Sequence, residues 1–467
     1  MIGRAALIGL YAAGVALAPT WPLRLAGAAP ILLAPMSWWM LVGPGNWVAA
    51  FLSAAILLPP LPVPIGNSGP HPSLIFALAG LGVGILRARE WSFHFNSLAR
   101  AFLIFSSILL CSVASAAYLS EASIAIGSLV RVLLFGISVY LYFYTVFGPG
   151  KGTAGNEAQT LRWLLGGAVL AAAFACVDFY YQFPAPAGYG EQFIWLSSGV
   201  FRRAQGLFYE ASTLGNFCAF FLVMVAVFAS EPKQSRMIPR SLLFSAGVIF
   251  FAGLVLSYSR ASIVALAVAI TTLYFLHCKS STKRYGLVIV PISIAAGAAA
   301  LNLFVPAFSE VYFKRIFASM AYFFSDTNSI LSGRLESWNT VLGLLRDNPA
   351  YLVFGIGYKT LPYTNFAGKP LVADNMYLSL LIETGIPGLV AFLWLNACLL
   401  RASYTAAVDQ NRKAAMLGTW FFCFWVGELL QMLSGDLLTY WRVLPVYFWV
   451  LAAALRLSSR PNEYSLR

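Results

Sequence analysis

Apolar runs of bilayer-spanning length follow one another along almost the whole chain, separated by short polar, Gly and Pro stretches. A helix needs about 20 consecutive apolar residues to cross the hydrocarbon core. There each backbone N–H and C=O must be satisfied within the protein, so continuous apolar runs become helices. Of the 467 residues, 60% are hydrophobic and only 10% charged, against roughly 25% charged in a soluble domain. Soluble enzymes, secreted disulfide scaffolds and disordered chains are excluded. The chain reads as an all-α polytopic integral membrane protein with about 12–14 transmembrane helices and one large external loop carrying short helices.

Candidate spans lie near 4–19, 25–42, 46–61, 72–86, 100–118, 123–146 and 161–182, then near 212–230, 241–256, 261–277, 286–305, 376–400, 414–433 and 442–456. The chain divides accordingly into N-terminal helices (1–182), an external loop (183–211), central helices (212–305), the large external loop (306–374), C-terminal helices (375–457) and a tail (458–467). With both termini cytoplasmic, most of the 30 Lys and Arg fall on the cytoplasmic side, as the positive-inside rule requires. The net charge of +13 therefore sets topology and implies no nucleic acid.

Six cysteines lie singly in or at the ends of apolar runs, and three scattered histidines lack ligand spacing. Neither pattern builds a metal site or a disulfide framework.

The informative residues are arginines on the external side, where short loops should be poor in them. Arg202 and Arg203 belong to Phe201-Arg-Arg-Ala-Gln-Gly206-Leu-Phe208-Tyr-Glu210, which leads into a membrane helix with Glu210 at a capping position. Leu256-Ser-Tyr258-Ser-Arg260 interrupts a long apolar stretch; an Arg there faces a cavity or a partner rather than lipid. In the large loop, Ser332 as N-cap and Leu335, Trp338, Leu342 and Leu345 at helical spacing predict a short amphipathic helix ending at Asn348-Pro349. Arg334 in its first turn, beside exposed N–H groups, makes a phosphate seat. An interfacial helix with a snorkelling Arg is the other reading. The fourth segment starts a membrane helix at Asp374-Asn375-Met-Tyr377-Leu378 and runs on to Glu383-Thr-Gly385-Ile-Pro-Gly388. Asp374 and Asn375 suit N-capping, and Glu383, two turns deeper, should face the bundle interior. Glu428, Asp436, Asp178 and Arg131 are further polar residues of this kind, as functional groups or as structural partners. Arginine clusters suit diphosphates, and carboxylates suit proton abstraction from a hydroxyl. Together they point to transfer from a lipid diphosphate to an alcohol.

These four segments resemble the O-antigen ligase and polymerase family, polytopic glycosyltransferases acting on undecaprenyl-diphosphate-linked glycans. Arg203-x-x-Gly206-x-Phe208 is similar to the family's RxxGxF, and Ser259-Arg260 to its Ser-Arg step. Gly333-Arg334 with Trp338, followed by Gly355-Ile-Gly357, is similar to its large periplasmic loop. Asp374-Asn375-x-Tyr377-Leu378 with Glu383-x-Gly385-x-x-Gly388 is similar to its closing motif. The resemblance implies a GT-C-like architecture in the bacterial inner membrane with its active site facing the periplasm.

It also implies roles. Arg203, Arg260 and Arg334 contact the donor diphosphate, Arg202 being the alternative register for Arg203. Asp374, or failing that Glu210, takes the acceptor's proton, with Asn375, Tyr377, Glu383, Tyr258 and Trp338 lining the substrate. No metal or other cofactor is needed; the partners are the lipid-linked oligosaccharide, membrane lipids and a chain-length-regulating copolymerase. Ligases of the family place a His before the Asn, where this chain has Asp374. Phe208-Tyr-Glu210-Ala-Ser212 is closer to the Phe-x-Glu-Pro-Ser of polysaccharide polymerases. The expectation is therefore a polymerase joining repeat units into O-antigen, capsular or exopolysaccharide chains. The alternatives are a ligase transferring polymer to lipid A core or another acceptor, and a lipid-linked glycan flippase, which should show a cationic path between two comparable halves.

Overall fold

The computed structural model describes residues 2–17, 45–61, 69–149, 156–186, 188–196, 199–231, 238–277 and 334–459, with a few single positions between 19 and 43. The expected span at 286–305, most of that at 25–42, and the Ser332 cap lie outside the described residues.

Fourteen α-helices are described: α1 (Ile2–Ala16), α2 (Asn46–Leu57), α3 (Ser73–Leu86), α4 (Ser97–Leu119), α5 (Ala122–Phe147), α6 (Asn156–Tyr181), α7 (Ala211–Ser230), α8 (Arg240–Leu256), α9 (Arg260–His277), α10 (Arg334–Asp347), α11 (Tyr351–Phe354), α12 (Met376–Ala407), α13 (Arg412–Gln431) and α14 (Leu444–Leu457). Six of them, α4, α5, α6, α7, α12 and α13, contain stretches long and apolar enough to cross a membrane, and α2, α3, α8, α9 and α14 are shorter apolar helices. The protein is a polytopic, nearly all-helical membrane protein. One element is not helical: β1 (Phe193–Leu196) pairs antiparallel with β2 (Gly199–Arg202). This hairpin is a small exception in an otherwise helical structure; in the sequence, the Ser-Ser pair before Gly199 separates two β-prone tetrads.

Packing sorts the helices into a buried centre and a lipid-facing rim. The spans of α7 and α13 are 78% and 72% buried, against 28% for α4. Helix α14 is buried at every position from Leu444 to Ala454; such all-round apolarity marks a helix enclosed by others. Because hydrocarbon gives helices no hydrophobic drive toward one another, close packing and polar ties hold the centre. Asn216 on α7 donates to Glu428 on α13 at 2.6 Å and accepts from the Tyr447 hydroxyl on α14. Trp420 donates to Phe220 O at 2.7 Å. Glu428, expected to face the interior, does so as a knot between helices.

Two arginines fasten loops to the bundle. Arg442 donates to Ala55 O at 2.8 Å and Leu58 O at 2.9 Å, at the carbonyl end of α2, and also to Leu207 O and the Tyr189 hydroxyl. A cation there complements the helix dipole. Arg202 bonds Asp178 of α6 at 2.8 Å and Phe183 O at 2.6 Å, with Glu191 at 3.3 Å.

Candidate active site

The RxxGxF segment is built around Asp178. Its carboxylate pairs with Arg202 and accepts Gly206 N–H at 3.3 Å. Gly206 has φ +54, and a Cβ there would lie 2.7 Å from Ala175 Cβ on α6; only Gly fits this turn. Phe208 anchors the segment in the core, 4.8 Å from the Phe217 ring. The adjacent arginines diverge. Arg202 is 5% exposed and bonded to Asp178, Glu191 and Phe183 O, which ties the segment to α6. Arg203 turns the other way: its backbone N–H bonds Gln192 O, its side chain Gln192, and its Nε Ser257 O at 2.7 Å.

That last bond ties the first segment to the second. Ala204 N–H also reaches Leu256 O at 3.0 Å. Between α8 and α9 the chain passes through Tyr258 at φ +50, and the hydroxyls of Ser259 and Ser262 share a 2.8 Å bond. Ser257 and Ser259 crowd Gly215 of α7, where an added Cβ would lie 2.7 Å from each. Arg260 opens α9 directly after this turn, so Arg203 and Arg260 flank one turn. Tyr258 is itself buried, its ring 6.2 Å from Phe179.

The third and fourth segments meet likewise. Arg334 Nε lies 3.5 Å from Asp374 Oδ2, and Trp338 Nε1 donates to Ala373 O at 2.8 Å. Helix α10 buries Val341 and Leu345, while Leu342, expected on its apolar stripe, is 51% exposed. The buried stripe therefore runs through Val341, set by packing against Ile356, Leu361 and Ile382. Asp374 is left-handed at φ +47, a region Asp and Asn tolerate better than most residues. Asn375, and not Asp374, caps α12 by accepting Leu378 N–H at 3.1 Å, which leaves the Asp374 carboxylate for Arg334. Tyr377 docks α12 on α13 through its hydroxyl and Leu429 O at 2.9 Å.

The Gly-rich pieces of the two motifs form a crossing. Helix α12 breaks at Gly385, φ +71. The break is filled by Gly355 to Gly357, with Ile356 N–H on Ile382 O at 3.0 Å and Gly357 N–H on Glu383 O at 2.9 Å. A Cβ on Gly355 would lie 2.3 Å from Glu383 O. Glu383 is buried, with the Lys359 and Leu361 N–H groups as hydrogen-bond partners. Lys359 pairs with Asp436. Burial lowers the Lys359 ammonium to about 8, with Glu383 opposing and Arg131 assisting. Glu383 and Asp436 thus share one charge cluster around Lys359.

Glu210 joins the halves. It occupies the N-cap position of α7 without a capping bond. Burial raises its carboxyl pKa and the Asp374 charge adds to that, while a Ser212 hydrogen bond and Arg203 act against it. Arg203 and Asp374 are thus both within electrostatic reach of Glu210, so the outermost of the four segments converge there. Sequence reasoning passed over Lys359, Tyr363 and Tyr209, whose surroundings depend on contacts far apart in the chain.

Fold and site define a polytopic membrane protein with arginines and carboxylates gathered at one end of its helical bundle. Residues 245–393 match the family model described as O-antigen ligase, so this central part of the chain is similar to that family. The match includes Arg260, Arg334, Trp338 and Asp374; Arg203 and Glu210 lie upstream of it. No curated protein matches the chain.

Proposed function

We propose that this protein is a polysaccharide polymerase that joins undecaprenyl-diphosphate-linked oligosaccharide repeats at the periplasmic face of the inner membrane, without a metal ion. The observation that carries the reading is the convergence of Arg203, Glu210, Arg334 and Asp374 beside the Arg260 turn. Arg203, Arg260 and Arg334 hold the donor diphosphate and neutralise it as it leaves. Glu210, its basicity raised by burial, takes the proton of the acceptor hydroxyl. The hydroxyl oxygen bonds to the anomeric carbon, the bond from that carbon to the diphosphate breaks, and undecaprenyl diphosphate departs with the electron pair. Asp374 orients the Arg334 guanidinium. A copolymerase partner setting chain length belongs to this reading.

The test uses the full-length protein in nanodiscs, with a metal chelator and the source organism's lipid-linked repeat unit. A glycan ladder that Arg334→Ala and Glu210→Gln abolish is expected. Transfer only after addition of lipid A core or another acceptor would replace the reading with a ligase. Movement of lipid-linked glycan across a sealed bilayer without product would replace it with a flippase.

A further inference from the structure

We propose that Arg131, Tyr363 and Tyr209 form a saccharide subsite that receives an acidic sugar of the acceptor beside Glu210; this rests on the glycosyl-transfer reading above. Arg131 lies on α5, nine residues in from Ala122. An arginine at that depth is retained where it faces a cavity or partner. Its guanidinium sits 4.2 Å over the Tyr363 ring. It donates one long hydrogen bond, 3.4 Å from Nη1 to Lys359 O, and has no carboxylate within ion-pair distance among the described residues. The structural arginines differ sharply. Arg202 and Arg442 are each 5% exposed and hold several acceptors apiece. Arg131 is only half-buried and keeps most of its donor fork. Gly127, one turn nearer the start of α5, makes room for it: a Cβ there would lie 3.2 Å from an Arg131 Nη.

The rings beside this guanidinium are held but open. Tyr363 is 46% and Tyr209 49% exposed. The loop carrying Tyr363 is pinned upstream, where Ser128 Oγ donates to Tyr358 O at 2.6 Å and Tyr358 N–H to Ser112 Oγ at 3.2 Å. Tyr209 packs on Tyr189, ring centroids 5.5 Å apart, and directly precedes Glu210. Tyr209 feels Tyr363, Glu210 and Arg131 electrostatically, so the rings and the cation share one neighbourhood with the proposed base. A pyranose lays its C–H face on such rings, and a guanidinium fork matches a carboxylate. The combination selects a uronic-acid-like residue, placing the acceptor hydroxyl near Glu210.

The test measures binding to the full-length protein in nanodiscs by calorimetry, with trigalacturonate as acidic probe, maltotriose as neutral probe and inorganic pyrophosphate as phosphate probe. Trigalacturonate should bind more tightly than maltotriose. Arg131→Gln and Tyr363→Ala should each weaken it about tenfold or more, while Tyr363→Phe, which keeps the ring face, retains binding. Equal binding of acidic and neutral probes, absence of trigalacturonate binding, or unchanged binding in Arg131→Gln would overturn the subsite. Displacement of trigalacturonate by pyrophosphate through Arg131 would reassign the cation to the diphosphate and also overturn it. Failure of glycosyl transfer with trigalacturonate binding intact would sink the polymerase reading and leave the subsite standing. Transfer with the wild-type acceptor KM in Arg131→Gln would do the reverse.

Discussion

Glu210 stands at the start of a buried helix with no capping bond to repay its position, and that makes its charge state the most revealing property of the cluster. A base whose pKa is raised by burial works only when deprotonated, so turnover should fall as pH drops through a midpoint above the ordinary carboxylate range. Glu210→Gln should cost at least about a hundredfold in kcat, read from a pH–rate profile. Stability should move oppositely. The folded protein holds this proton more tightly than the unfolded chain, so stability is lost as pH climbs from the ordinary carboxylate pKa to the raised one. Glu210→Gln should abolish that dependence and unfold at a higher temperature at neutral pH; an unchanged thermal profile would count against the raised pKa. Arg334→Ala should reduce kcat more than Asp374→Asn does, because Asp374 acts through the guanidinium 3.5 Å away. The sequence revealed Arg203, Gly206 and Phe208 because spacing along one short segment marks them. It left Arg202 and Arg203 unresolved, since the choice turns on Asp178, 24 residues upstream of Arg202.

At the scale of elements, the break in α12 joins the loop to the membrane bundle. Gly385→Ala would force a side chain into a left-handed backbone with its Cβ 2.6 Å from Val353 O, costing about 3 kcal/mol or more. The expected result is a lowered unfolding temperature in detergent together with loss of activity. Asn216→Ala should also destabilise by about 2 kcal/mol, by leaving a buried carboxyl oxygen of Glu428 without its 2.6 Å donor. Helix limits were legible from apolar run lengths: the span expected at 212–230 is α7 at Ala211–Ser230. The phase of α10 was not, because Val341 and Leu342 are both apolar and only the cluster around Ile356 and Ile382 decides which turns inward. The β1–β2 hairpin stayed hidden because its strands are four residues each, too short to stand out from apolar surroundings.

Across the whole molecule, the residues of the candidate site are gathered where the ends of α6, α8 and α13 meet the starts of α7, α9, α12 and α14. The opposite ends carry structural ties instead. There Asp409 accepts from Ser458, Asn411 and Ser459; burial alone would raise its pKa, but these bonds hold it at about 2. Its stabilising contribution is present above the ordinary Asp value and is lost as pH falls through about 2. Asp409→Ala should therefore lower the unfolding temperature while leaving kcat near wild type. Composition made the membrane class legible, and the order of four motifs pointed to the residues of the candidate site. Their meeting was not, because Arg203 touching Ser257 and Arg334 touching Asp374 are products of folding.

The central claim is that Arg203, Arg260 and Arg334 with Glu210 perform glycosyl transfer from a lipid diphosphate. Its most direct test is single-turnover transfer by the purified, chelator-treated protein, comparing wild type with Glu210→Gln across pH. The account predicts extension of the glycan by one repeat in the wild type, with a rate rising through one deprotonation that the variant lacks. Transfer by Glu210→Gln at the wild-type rate and with the wild-type pH profile would contradict it.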